Sequence, residues 1–168
     1  MILDAFLTFS GAVSALGAPS GQLVTATGNT LSTNTLDIAS LSLGGNQAGD
    51  FGSGEPLHIS VSVIQTLTSA GAATVQFQLI QADDAALTSN VQVLTQTDAF
   101  AYTALTAGTL VPIRWDRAAP YSPKRYIGVR YVVGTAALTN GTGQFFTSVV
   151  RDVQDIKNLY YKSGYAIL

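Results

Sequence analysis

From Leu57 the chain alternates strictly: Leu57, Ile59, Val61 and Val63 are apolar, while His58, Ser60 and Ser62 between them are polar. That period of two describes a strand with one buried face. Thr74 to Gln81 repeats it, with Val75, Phe77 and Leu79 predicted inward and Thr74, Gln76 and Gln78 outward. Further strands are predicted at Val91 to Thr95, Leu110 to Trp115, Tyr126 to Val133 and Gln144 to Val150. Between them lie turn residues: Ser69 to Gly71, Asp83 with Asp84, Ala107 with Gly108, Pro120 to Pro123, and Asn140 with Gly141. Asn-Gly is a strong hairpin signal, because both residues tolerate positive φ.

Six or more short strands at broadly even spacing argue for an all-β fold, a jelly-roll or antiparallel β-sandwich, rather than alternating α/β. Residues 1–168 are expected to form a single domain, with the main sandwich strands in residues 57–150. Residues 1–56 mix apolar and small polar residues with nine glycines. They are expected to form an extended N-terminal arm with irregular strands at Leu23 to Thr27 and Thr35 to Ala39. In the tail, residues 151–168, Val149, Val153, Ile156 and Tyr160 follow helical spacing, with Asp152 near the start and Lys157 and Lys162 near the end. That predicts a short helix aligned with its macrodipole, an extended tail being the alternative.

Composition agrees with strands. The chain has 19 Thr, 14 Ser and only 11% charged residues. Thr and Val suit a half-buried pleated surface, whereas Lys and Glu, the good helix formers, are scarce. There is no cysteine, which excludes disulfides and thiolate metal sites. The apolar start has no basic n-region, carries Asp4 and breaks at Thr8, Ser10 and Gly11, which argues against a secretory signal. No stretch approaches the roughly 18 apolar residues of a membrane span, so a soluble protein with no membrane partner is expected.

Charge is unevenly placed. Residues 1–113 hold seven acids and no base, and the final 55 residues hold all eight bases against three acids. Six of the seven tyrosines fall in that basic part. Such a split suggests a charged partner or ordered self-assembly, and Arg and Tyr are residue types enriched at interfaces. The plainer alternative is that both segments fold together and their charges intermix. Arg114, Trp115, Arg117, Lys124, Arg125, Tyr126, Arg130 and Tyr131 interleave cations with aromatics, as single-strand binders do. The seven unopposed acids count against a phosphate-tracking groove, and direct nucleic-acid binding is not expected.

Catalytic groups are sparse. His58 is the only histidine, on the predicted polar face beside Glu55 and Pro56, and no Gly-x-Ser-x-Gly elbow occurs. It is read as a structural or surface histidine. Asp83 and Asp84, the only adjacent acids, are expected to cap a turn rather than act as a pair. Gly49 to Gly54 lacks the order of a phosphate loop and leads into a strand. Asn140-Gly141-Thr142 matches a glycosylation acceptor but is better explained by a hairpin. No enzyme activity, cofactor or metal is expected.

Several separated pieces occur together in a familiar order: Met1-Ile2-Leu3-Asp4, Phe9-Ser10, Ser32-Thr33-Asn34, Leu36-Asp37, Gly52 to Leu57, Thr68 to Gly71, and Ala73-Thr74-Val75. Gln78, Asp83-Asp84, Ala107-Gly108 and Arg125-Tyr126 through Tyr131 follow. In that order the chain resembles the capsid cement, or decoration, proteins of tailed bacteriophages of the kind first described in a Bordetella phage. The resemblance covers nearly the whole chain. Ala18 to Gly49 departs from it, with extra Gly and Thr, which leaves the arm's path open.

The resemblance implies a jelly roll and a non-enzymatic virion protein on the outer surface of the matured head. Its implied partners are the major capsid protein and further copies of itself, as dimers or trimers, holding neighbouring subunits together against packaged DNA. Affinity would then come from several modest contacts made by one oligomer, and termini laid across neighbours would add area. Met1, Ile2, Leu3, Phe6 and Phe9 near the start, and Tyr160, Tyr161 and Tyr165 near the end, are the expected contacts. Arg114, Trp115, Arg117, Tyr121, Lys124 and Arg125 form a second candidate surface. The alternative is a virion adhesin that binds carbohydrate, with Trp115, Tyr121 and Tyr126 as its stacking platform.

Overall fold

In a computed structural model the described residues are 7–13, 19–38, 57–115 and 124–150. The first part of the chain supplies six short strands: β1 (Thr8–Ser10), β2 (Ala12–Val13), β3 (Pro19–Ser20), β4 (Gln22–Leu23), β5 (Gly28–Leu31) and β6 (Leu36–Asp37). The longer ones follow as β7 (Leu57–Val63), β8 (Thr74–Ala82), β9 (Gln92–Gln96), β10 (Phe100–Ala101), β11 (Leu110–Trp115), β12 (Tyr126–Gly134) and β13 (Gln144–Val150). Each strand expected from Leu57 onward is present, with bounds within a residue or so. The helix expected beyond residue 150 lies outside the described residues.

One large sheet runs β1-β13-β7-β11, with β4 also on β13; a second runs β10-β8-β12-β5, with β6 also on β12 and β9 also on β8; β2 and β3 pair by themselves. All strand pairs are antiparallel. Because β5 and β6 share β12, and β9 and β10 share β8, each couple acts as one interrupted strand. With β1 and β4, which share β13, joined in the same way and the β2-β3 pair set aside, eight strands fall into the two large sheets in the orders 1-8-3-6 and 2-7-4-5, the winding of a jelly roll.

Alternation explains which side chains meet inside. Ile59, Val61 and Val63 from the first sheet and Val75, Phe77, Leu79, Val129, Tyr131 and Val133 from the second are all buried in one core. Phe77, Tyr131 and Phe145 join the layers, with ring centroids 5.3 to 5.9 Å apart. Phe9, Val24, Leu36 and Ile38 belong to the same core. The expected N-terminal arm is therefore, in its described part, woven into both sheets, and Phe9 is a core residue rather than an outward contact.

One strand departs from simple alternation, and one expectation changes. Strand β13 has its first residue half-buried and the next six buried, so both of its faces are covered. Gly11 helps to cover one end, since φ +85 at that position lets the backbone turn where a Cβ would meet Phe146 and the Ser20 carbonyl. Asn140-Gly141 does not make a hairpin, because β12 and β13 lie in different sheets. It occupies a turn in the crossing segment, closed by Thr142 N–H donating to the Thr139 carbonyl at 3.1 Å, with positive φ at Gly141 alone.

Candidate interaction surface

The bases of the second candidate surface are partly consumed within the chain. Lys124 Nζ donates to Asp83 at 2.8 Å. The Arg125 guanidinium grips Asp37 with two bonds of 2.9 and 2.8 Å and lies over the Tyr126 ring, 5.0 Å from its centroid. These bonds pull the Asp83 carboxyl below its ordinary range, chiefly through Lys124, and raise Arg125, chiefly through Asp37. Acids from the base-free part of the sequence thus neutralise bases from the basic part. For these two cations the split is settled inside the fold.

Asp84 acts as its expected turn cap: its carboxylate accepts from the backbone N–H groups of Thr88 and Ser89 at 2.9 and 2.7 Å and from the Thr88 hydroxyl. Those bonds, led by Ser89, lower its pKa. The turn holds Leu87 over the outer side of the second sheet. There Gly128 leaves room, since a Cβ would push Leu87 Cδ1 aside. Leu87 closes a small apolar cluster with Ile80 and Ala82, flanked by Leu31, Val91, Val93 and Tyr126.

Of the aromatic residues expected as contacts, those described are mostly interior. Trp115 is 3% exposed and Tyr131 fully buried, both in the main core. Their strand positions alternate with outward ones, so Arg114 is exposed on β11 while its neighbour Trp115 points in. Trp115 and Tyr131 therefore offer no face to a sugar or a nucleobase, and the stacking platform expected from Trp115, Tyr121 and Tyr126 is not assembled among the described residues. His58 sits half-buried on β7 opposite Arg114, with Nδ1 enclosed and without a hydrogen bond. Met1, Ile2, Leu3, Phe6, Arg117, Tyr121, Tyr160, Tyr161 and Tyr165 lie outside the described residues.

The two outer sheet faces differ. On the first sheet, Thr8, Ser60, Phe146, Ser148 and Val150 are all buried although they alternate away from the core. On the second, past the Leu87 cluster, a polar strip stays accessible. Arg130 and Val132 of β12 stand half-buried beside Gln76, and Gln96 of β9 is exposed. This strip was missed in the sequence. Its glutamines signal only a polar face, and its arginine sits mid-strand among apolar residues.

The family model of Bbp16, a Bordetella phage protein family, matches residues 18–149. The chain belongs to the Bbp16 family. Its matched span runs from just before β3 through all but the last residue of β13, and so includes the polar strip and every pair of the second sheet. Strands β1 and β2 precede the Bbp16 span, yet β1 pairs with β13, tying that segment to the Bbp16 fold. No curated protein matches the chain.

Proposed function

We propose that this protein is a non-enzymatic component of a phage virion that binds the outer surface of the head and cements neighbouring major capsid subunits against the pressure of packaged DNA. The observation that carries the reading is the Bbp16 match across nearly the whole sandwich, which associates the chain with phages. The ordered motifs shared with phage cement proteins support the finer role. The jelly roll suits it physically: a stiff two-layer body transmits load through many backbone hydrogen bonds and leaves faces and ends free for contacts. Residues 1–6 and Asn158 to Leu168 are the segments proposed to dock on a sister copy or on the capsid protein. Self-assembly as a dimer or trimer would multiply modest contacts.

Co-sedimentation of the purified protein with matured heads stripped of it tests the proposal. Saturable binding with a fixed number of copies per capsid subunit, and a higher temperature of head rupture, is expected. Absence of binding to both expanded and unexpanded heads would overturn it.

A further inference from the structure

The second sheet carries a cation that meets no acid among the described residues. Arg130 is the middle residue of β12, opposite Gln78 of β8 and Leu31 of β5. Its Nε donates to Gln78 Oε1 at 2.7 Å. A guanidinium can only donate, so it fixes which end of the Gln78 amide faces it. The Gln78 amide nitrogen then donates to Gln96 Oε1 at 2.9 Å and to Gln76 Oε1 at 3.1 Å. Gln76 in turn gives its nitrogen to the Thr97 carbonyl at 2.8 Å. The whole ladder is directional, and Arg130 sets its direction. Gln78 is 8% exposed, so the bond that orients the guanidinium is shielded from water.

Only Nε is used in this ladder. The two Nη groups, which form the fork that meets a carboxylate, have neither a hydrogen bond nor an ion pair among the described residues. Lys124 and Arg125, by contrast, are taken by Asp83 and Asp37. An oriented, half-buried guanidinium loses little freedom when it binds, which favours a bidentate partner.

We infer that Arg130, held by Gln78, anchors a docking surface for a carboxylate side chain of a protein partner. The inference rests on the cement reading, in which that partner is an Asp or Glu on the head surface. Charge complementarity selects the occupant. A phosphate chain would need several cations, and the strip offers one, with Asp98 exposed just after β9. A sugar would need a stacking ring, and the strip has none among its described residues.

The test compares wild type, R130Q and R130K in head co-sedimentation across a salt series. R130Q keeps a donor for Gln78 and removes the charge, so its thermal midpoint should stay near wild type; R130K keeps the charge without the fork. R130Q is expected to bind on the order of tenfold more weakly at low salt, with the gap narrowing as salt rises and R130K intermediate. Wild-type affinity in R130Q, with wild type itself binding, overturns the inference and spares the cement reading. If wild type fails to bind heads, the cement reading falls. NMR of the arginine side chains during titration with N-acetyl-glutamate amide, against sodium chloride at equal ionic strength, then decides Arg130. A saturable shift at its Nη groups specific to the carboxylate upholds the site, and no shift overturns it.

Discussion

Tyr131 carries a single hydroxyl proton, and it goes to Ser10 Oγ at 2.8 Å; Thr147, 2.6 Å away, must therefore donate to the tyrosine oxygen. Since Ser10 and Thr147 stand on the first sheet and Tyr131 on the second, these bonds clasp the layers inside the buried core. Tyr131→Phe is expected to cost about 1–2 kcal/mol in urea unfolding, because two buried hydroxyls lose a partner. Burial pushes the Tyr131 pKa up to about 12 from 10.0. The neutral hydroxyl is what the fold favours, so the stabilisation is complete below pH 10 and is lost as pH rises towards 12. Linkage makes that loss roughly 3 kcal/mol. Wild type should therefore weaken in this alkaline window, and Tyr131→Phe should show a shallower decline in unfolding titrations at matched pH. At Gly128 the expectation is steric: Gly128→Ala should displace Leu87 and lower stability by about 1–3 kcal/mol, read from the same denaturation curves.

At the scale of elements, the Asp83–Asn90 turn and the edge strand β11 behave differently. The turn is held by Asp83 and Asp84, whose carboxyls are both lowered below the ordinary 3.8. Their contribution is present above that value and lost as pH falls through the lower folded values. Amide exchange at Thr88 and Ser89 should therefore quicken below about pH 4 relative to the strand interiors, whereas Asp84→Asn should show the faster exchange already at neutral pH. On β11, Val63 N–H donates to the Thr109 carbonyl, and by alternation residue 112 turns its nitrogen away from β7. Proline there costs no internal bond and denies a donor to any strand arriving at that edge. Pro112→Val should leave the melting midpoint within about 0.5 kcal/mol of wild type yet increase association in light scattering. The strands from Leu57 onward were legible because alternation reports burial directly. Their partners were not, since turn residues such as Asn140-Gly141 show where the chain bends and not which sheet it rejoins. Of the short N-terminal strands, β6 lies inside the expected Thr35 to Ala39 and β4 only touches the expected Leu23 to Thr27; the others escaped notice because two to four residues carry too little periodicity.

For the molecule as a whole, the charge split in the sequence did not tell which of the described bases are paired within the fold. Pairs formed across 41 and 88 residues of sequence bind Lys124 and Arg125 internally, while the fork of Arg130, inconspicuous in its strand, meets no acid among the described residues. Lys124→Glu is accordingly expected to loosen the Asp83 turn, seen as faster amide exchange, and to leave head affinity at the wild-type level. Winding order also bears on biosynthesis. Strand β13 lies between β1 and β7, so the first sheet has no middle until residues 144–150 have left the ribosome. Throughout translation β1 waits without its strand partner and β7 shows a bare apolar edge. Closure of the sandwich must therefore follow synthesis of β13, and a chain cut short before Gln144 cannot leave a smaller working copy: it leaves an open sheet for proteases and for other unfinished chains to find.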